Sequence, residues 1–396
     1  MSNLSVGIIG LPNTGKSTLF NALLKKQVAA VANFPFTTIE PNTGIVPVPD
    51  KRLDILAKIF PADQIIPTTI EFVDIAGLVK GAHQGKGLGN QFLSHIKNVD
   101  LIAEVVRQFT NPNVPHIEGR IDPQNDREIV DLELIMADLQ LVKKRLEDFE
   151  RKKRLGLDKN TAKLFVLLKK IEQHLNNGKP VRKLNFTLEE KELVKELNLL
   201  TIKPIVYVIN IDENRIGKNQ NTDDQIFLSA QLEAEIASLP SNEAQEFLKE
   251  FKLDQSGLDK LIITAYKKLN LITFYTTTKP GEIRAWTVKK GTKAPQAAGI
   301  IHSDFEKGFI KAEVISYQDL IKVGNKNDIL PARGRAGFPS ETSKGGRLLC
   351  FNSSPPTEGR GILEAQNKAK EKGLLRIEGK DYILQDGDII HFWSSR

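Results

Sequence analysis

Apolar residues along the chain fall into two kinds of pattern. Short continuous runs at Leu4–Ile9, Thr69–Ile75, Leu101–Val106, Ile205–Asn210 and the briefer Ile226–Leu228 have the length and β-branched content of strands buried on both faces. Helical periodicity separates them, beginning with Ser17–Lys26. Strands alternating with helices predict an α/β domain built on a parallel sheet covered on both sides. Between the third and fourth runs the period changes. Leu132, Ile135, Leu139, Val142, Leu146 and Phe149 stand three and four apart, and Leu164, Leu168, Ile171 and Leu175 resume that spacing beyond the charged stretch Arg151–Lys159. This is the seam of a coiled-coil helix followed by its partner, and it predicts a helical hairpin inserted over about 128–200.

Past Lys279-Pro280-Gly281 the runs shorten. Ile283–Val288 and the closing Leu374–Phe392 read as strands separated by turns such as Asp386-Gly387, with one helical segment near Glu364–Lys372. A first domain over 1–278 and a small sheet-rich domain over 279–396 are therefore expected. Residues 331–361 are dense in Gly, Pro, Ser and Arg and show no period, which predicts a disordered surface insertion.

Composition narrows the class. At 396 residues the chain exceeds one ordinary domain of ~150 residues. Its 40% hydrophobic and 27% charged content is that of a soluble globular protein, which excludes collagen-like, mucin-like and wholly disordered chains. No apolar run reaches the ~18–20 residues of a membrane span, and the opening MSNLSVGIIGLPN lacks the basic flank and cleavage site of a signal peptide. The single Cys350 can make neither an internal disulfide nor a thiolate cluster. A cytoplasmic protein without a membrane partner is expected. The net charge of +7 is uneven, with 19 Lys/Arg against 14 Asp/Glu in residues 281–396 and 37 against 35 before them. That basic carboxyl-terminal third suits either an RNA-rich partner or ordinary solubility.

The chemistry concentrates near the start. Gly10-Leu11-Pro12-Asn13-Thr14-Gly15-Lys16-Ser17, followed by Thr18, matches the phosphate-binding loop G-x-x-x-x-G-K-[ST] between a buried strand and a helix. The loop amides of Asn13, Thr14 and Gly15 would wrap a phosphate chain. Lys16 would offer a positive charge to the β- and γ-phosphates, and the Ser17 hydroxyl would ligate Mg2+. Asp74-Ile75-Ala76-Gly77 closes the next strand, where a carboxylate supports the metal and a glycine approaches the γ-phosphate. Thr37 and Thr38 fall where a switch threonine completes the Mg2+ shell, and Thr38 is preferred.

Two positions depart from the usual GTPase pattern. Leu78 stands where many such enzymes carry a water-orienting glutamine, so either hydrolysis is very slow or another group positions the water. His116, in the polar segment Asn111–Gly119, is the candidate. In the base pocket, Asn210-Ile211-Asp212-Glu213 replaces N-K-x-D: Glu213 is one methylene longer than the aspartate that pairs with guanine, and Ile211 replaces the stacking lysine. A misplaced carboxylate leaves a polar group unpaired at a cost of about 1–3 kcal/mol, which favours ATP without excluding GTP. Backbone groups near Asn210 and Ile211 would bond adenine. Ser229-Ala230, after the fifth strand, fits the last loop touching the base.

These motifs, together with Asn33–Phe36, Thr38–Asn42, Gly85–Asn90, Arg284-Ala285-Trp286, Ala294–Gly299, Asp304–Phe309 and Glu378–Tyr382, closely resemble those of the YchF subfamily of Obg-like ATPases. The resemblance spans nearly the whole chain. It implies a Ras-like P-loop NTPase domain with a helical coiled-coil insertion and a carboxyl-terminal TGS domain of β-grasp type. It implies hydrolysis of ATP, with GTP used less well, dependence on Mg2+, and stimulation on the ribosome. The partner would be chiefly the large subunit, with rRNA contact and no DNA. It also implies a loop histidine, here His116, in the catalytic role beside Lys16 and Gly77. Residues 331–361 depart from the family pattern. A nucleotide-gated binding protein whose hydrolysis is incidental is the rival reading, and a GTPase like the Obg proteins the third.

Overall fold

The computed structural model describes residues 4–31, 42–60, 62–75, 88–153, 159–219, 221–277, 281–323 and 370–395. β1 (Ser5–Ile9) leads through the phosphate-loop sequence into α1 (Lys16–Val31), and β2 (Thr43–Pro47) follows. A helix and a short strand, α2 (Lys51–Ile59) and β3 (Gln64–Ile66), intervene before β4 (Thr69–Asp74). Then come α3 (Leu88–Asn98), β5 (Leu101–Arg107), the 31-residue α4 (Pro123–Lys153), α5 (Lys159–Asn176) and α6 (Leu188–Lys195). The strands β6 (Ile205–Asn210) and β7 (Gln225–Leu228) are followed by α7 (Ala230–Ile236), α8 (Ser241–Glu250) and α9 (Gly257–Lys268).

The first sheet has the order β2-β4-β1-β5-β6-β7, parallel except for β2, which runs antiparallel to β4 at one edge. Its central strands, SVGII, LIAEVVR and IVYVIN, are buried at every residue, as expected of a parallel sheet covered on both faces. Edge strand β2 instead alternates between buried and half-buried residues. The predicted fold class is met here, and the five predicted strands are β1, β4, β5, β6 and β7.

The helical hairpin is also present. Ile135, Leu139, Val142 and Leu146 of α4 are buried with Leu168, Ile171 and Leu175 of α5, and Phe149 meets Phe165 edge to face. One seam residue departs: Leu132 is 53% exposed. The reason lies at the base of α4, where Val130 and Leu134 turn toward the sheet core with Ile102, Val106 and Tyr207. The inward face there is set by the sheet, and the coiled-coil spacing begins only at Ile135. Buried Asp138 ties the hairpin back, accepting from the amides of Leu200 and Thr201 and from the Thr201 hydroxyl at 2.8, 2.8 and 2.6 Å.

The second unit holds β8 (Leu271–Thr276), β9 (Glu282–Lys289), α10 (Ala294–Ile301), α11 (Ser303–Lys307), β10 (Phe309–Ser316), α12 (Tyr317–Val323), β11 (Arg376–Glu378) and β12 (Asp388–Ser394). Its sheet has the order β11-β10-β12-β8-β9-β3. The division of the chain therefore differs from a cut at 278/279. Residues 50–68 and everything from Leu271 onward form the second unit, and the remainder forms the first. Two pairings explain this. β8 runs antiparallel to β9 along its whole length, so a cut at 278/279 would separate two paired strands; Lys279 and Pro280 themselves lie outside the described residues. β3 pairs with β9, and Leu53, Leu56, Ile59 and Phe60 share a core with Tyr275, Ile283 and Ile389. Among the described residues four short helices, α2 and α10 to α12, accompany this sheet where the sequence pattern suggested only one near 364–372, of which only Lys370–Lys372 are described. Residues 331–361 lie outside the described residues.

Candidate functional site

The turn from β1 into α1 is shaped by two glycines. Gly10 adopts φ +145°, and a Cβ there would lie 2.4 Å from the Val105 carbonyl; at Gly15, with φ +99°, it would lie 2.3 Å from Asn210 Nδ2. No side chain fits at either point, so the loop packs directly on β5 and on the end of β6. Asn13 takes φ 62°, one of the few residues besides glycine that does so readily. Thr14 is wholly buried, and its hydroxyl donates to Leu11 O at 3.0 Å. Ser17 and Thr18, in the first turn of α1, are exposed.

Asn210, at the end of β6, connects three loops. Its Nδ2 donates to Thr14 O and its Oδ1 accepts from Ala230 N, both at 2.9 Å, with the residue 5% exposed. Ser229 caps α7, accepting from Leu232 N. Gly15, Thr18, Asn210, Ile211, Glu213, Ser229 and Ala230 consequently line one cavity of about 580 Å³, a volume suited to a nucleotide. The backbone groups expected at the adenine already have partners in the sheet. Asn210 O already accepts from Gln108 N at 2.8 Å, and Ile211 N donates to Leu228 O at 2.9 Å. The Ile211 side chain is 2% exposed and sits in the sheet core. The following turn, Asp212–Asn214, also lines the cavity, with Glu213 exposed. Asp212 is turned to the neighbouring loop, accepting from Thr110 N at 3.0 Å.

Lys16 is 8% exposed, and its ammonium donates to Leu11 O at 2.8 Å. Burial lowers its pKa, opposed by the charge of Asp74; burial likewise raises the Asp74 carboxyl, opposed by Lys16. A buried cation and a buried carboxylate, each disfavoured by its burial, suit a ligand carrying phosphate for one and a divalent metal for the other. Ser17 and Asp74 offer the hard oxygen donors Mg2+ takes, so the residues fit that ion. Thr38 and Gly77, with Thr37 and Leu78, lie outside the described residues.

The loop after β5 was only partly legible in the sequence. Arg107, 2% exposed, organises it from beneath, donating to the carbonyls of Val114 (2.8 Å), Pro115 (3.3 Å), Asn111 (3.4 Å) and Phe109 (3.4 Å), while its guanidinium covers the Phe109 ring. Phe109, Thr110, Asn111 and Val114 complete the cavity wall. The signal was present: an arginine closing a strand that is apolar save for Glu104 must find acceptors. His116 follows Pro115, whose carbonyl accepts from Asn13 Nδ2 at 3.2 Å, so the histidine's backbone adjoins the phosphate loop. Its side chain, however, is turned inward. His116 Nε2 lies 3.0 Å from Asp126 Oδ2, and Nδ1 accepts from Glu118 N at 3.2 Å.

Beneath this loop lies a charged cluster. Glu104 of β5 is 1% exposed, and burial together with the charge of Asp131 pushes its carboxyl well above the ordinary range, against Arg127 and Arg182. Arg182 pairs with Asp131, and the Arg127 guanidinium stacks 3.6 Å over Tyr207.

Comparison with known proteins places this geometry in a family. A family model described as "50S ribosome-binding GTPase" matches residues 5–170, and the YchF-GTPase_C model, described as "Protein of unknown function", matches 271–335 and 361–394. The chain is 44% identical to the ribosome-binding ATPase YchF of Bacillus subtilis and 42% identical to that of Escherichia coli O157:H7, covering 98% of each sequence in both cases. The solved structure of the Schizosaccharomyces pombe YchF GTPase superposes with a TM-score of 0.79 at 34% identity, over 99% of this chain and 98% of that one. With its phosphate-loop sequence, its Asn210-Ile211-Asp212-Glu213 in place of N-K-x-D and full-length similarity to these proteins, the chain belongs to the YchF family.

Proposed function

We propose that the chain is a ribosome-binding ATPase, hydrolysing ATP to ADP and phosphate with GTP used less well, and that it acts as a nucleotide-dependent switch on the large subunit. The relatives' printed name and the "50S ribosome-binding" description of the family model support this reading. The observation that carries it is the Asn210 linkage, which joins the phosphate loop to a base pocket ending in glutamate.

In this reading the loop amides of Asn13, Thr14 and Gly15 and the Lys16 ammonium hold the β- and γ-phosphates. Lys16 exchanges the Leu11 carbonyl for a phosphate oxygen, and its charge is then no longer opposed by burial alone. Ser17 and Thr38 hold Mg2+, with Asp74 behind them and Gly77 approaching the γ-phosphate. The metal, when bound, neutralises charge between the β- and γ-phosphates. His116 orients the attacking water. Asn210, Ile211, Glu213, Ser229 and Ala230 frame the adenine, and a glutamate at 213 does not reproduce the guanine-binding aspartate. A cytoplasmic location, rRNA contact, the TGS identity of the second unit and the absence of a DNA partner belong to the same proposal.

The test is turnover of ATP and GTP side by side, with and without ribosomes. Clear GTP preference would overturn the base-pocket argument. The rival, a binding protein with incidental hydrolysis, is favoured by one observation: His116 is held away from the site. It predicts equal ribosome binding with ATP and with a non-hydrolysable analogue, whereas a hydrolytic switch predicts that they differ.

A further inference from the structure

We propose that Asp126 is a positioning residue that holds His116 in a withdrawn state, so that unstimulated ATP turnover is limited by how often the His116–Asp126 bond opens. The inference rests on the reading of His116 as the water-orienting group.

The geometry makes the withdrawal complete. The two side chains are 4% and 3% exposed. Because the Glu118 amide donates to Nδ1, that nitrogen carries no proton, so Nε2 is protonated and donates to Asp126. A ring with one nitrogen donating inward and the other accepting a backbone amide has no atom left to hold a water. Asp126 sits near the start of α4, where the helix dipole favours a carboxylate. Its other oxygen, Oδ1, is buried with no hydrogen-bond partner, so the imidazole is the side chain's principal contact.

The backbone beside the histidine is nevertheless already tied to the phosphate loop. Pro115 is fixed at the phosphate loop by Asn13 and at β5 by Arg107, so the backbone entering His116 is already in place. Three residues on, Gly119 adopts φ +74° with open space around its Cα, which lets the far side of the segment turn without a clash. Release therefore requires breaking two hydrogen bonds of one side chain and leaves the anchored loop intact.

The test uses the full chain and compares Asp126→Ala, Asp126→Asn, His116→Ala and the double variant Asp126→Ala/His116→Ala. Steady-state ATP hydrolysis is measured without ribosomes, and the imidazole nitrogens are followed by 15N NMR. Asp126→Ala should raise basal kcat about tenfold, equivalent to about 1.4 kcal/mol of barrier, with KM for ATP unchanged. Asp126→Asn keeps an acceptor and the shape of the site, and should give a smaller rise. The double variant should show no rise over His116→Ala. The native protein should show the Nε2-protonated tautomer, and Asp126→Asn should weaken that signature while melting as the native chain does. If His116→Ala lowers turnover but neither Asp126 variant raises it, the holding role is overturned while the histidine's role stands. Should His116→Ala turn over normally, the underlying reading fails and the inference with it. A native imidazole protonated at Nδ1 would also overturn the inference.

Discussion

Replacing Asn210 by alanine isolates the linkage on which the nucleotide site depends. The side chain makes two 2.9 Å hydrogen bonds, to Thr14 O and from Ala230 N, in a place almost closed to solvent. Alanine removes both partners and leaves a buried carbonyl and a buried amide unpaired, each costing about 1–3 kcal/mol. A total near 3 kcal/mol corresponds to a change of about 100-fold in the local opening equilibrium. Asn210→Asp keeps the acceptor for Ala230 but sets a carboxylate oxygen against Thr14 O, so it loses the phosphate-loop half specifically. Hydrogen exchange at the β6 amides, read beside ATP affinity, gives both quantities. Asn210→Ala should accelerate exchange and weaken ATP binding together, and Asn210→Asp should spare the α7 end. Native exchange and native affinity in the alanine variant would refute the claim that this side chain sets the loop's shape.

Other perturbations test separate parts of the structure. Gly15→Ala drives a methyl into Asn210 Nδ2 at a positive φ and should abolish nucleotide binding, measured by fluorescent-nucleotide titration. Arg107→Lys cannot reach four carbonyls with one ammonium, so limited proteolysis should cut faster within residues 108–119. Glu104 gives a pH prediction. Its folded-state pKa is raised, so the native state binds more protons than the unfolded chain between the ordinary glutamate value and the raised one. Stability from this group is full below the ordinary value and is lost as pH rises through the folded one. Urea midpoints should therefore fall with pH over that window, and Glu104→Gln should flatten the fall.

Much of the first unit could be read from the chain because its determinants are local. A buried parallel strand is nearly continuous in apolar residues, and a loop that wraps phosphate must have glycine where a Cβ would strike Val105 or Asn210. The membership of residues 50–68 in the second unit was not legible, because it rests on β3 pairing with a strand more than 200 residues away. Leu132 misled for a similar reason: sequence spacing shows a stripe but not where along it one core gives way to the other, and Leu132 belongs to neither. His116 could be singled out as a chemical group, but its inward orientation depends on Asp126 and on the Glu118 amide, neither of which has a motif.

One continuous helix joins the sheet to the hairpin, and its mechanics follow from its length. At about 1.5 Å per residue, the 31 residues of α4 make a rod about 46 Å long. Asp131 is fixed near its beginning by Arg182, leaving about 33 Å of helix beyond it and about 12 Å before it, with Asp126 about 8 Å from that point. Once the Asp138 bonds to Leu200 and Thr201 yield, a 10° tilt about that fulcrum sweeps the distal tip through about 6 Å and shifts the turn bearing Asp126 by little more than about 1 Å. Coarse displacement at the tip is thereby geared down to the scale on which a single hydrogen bond is made or lost.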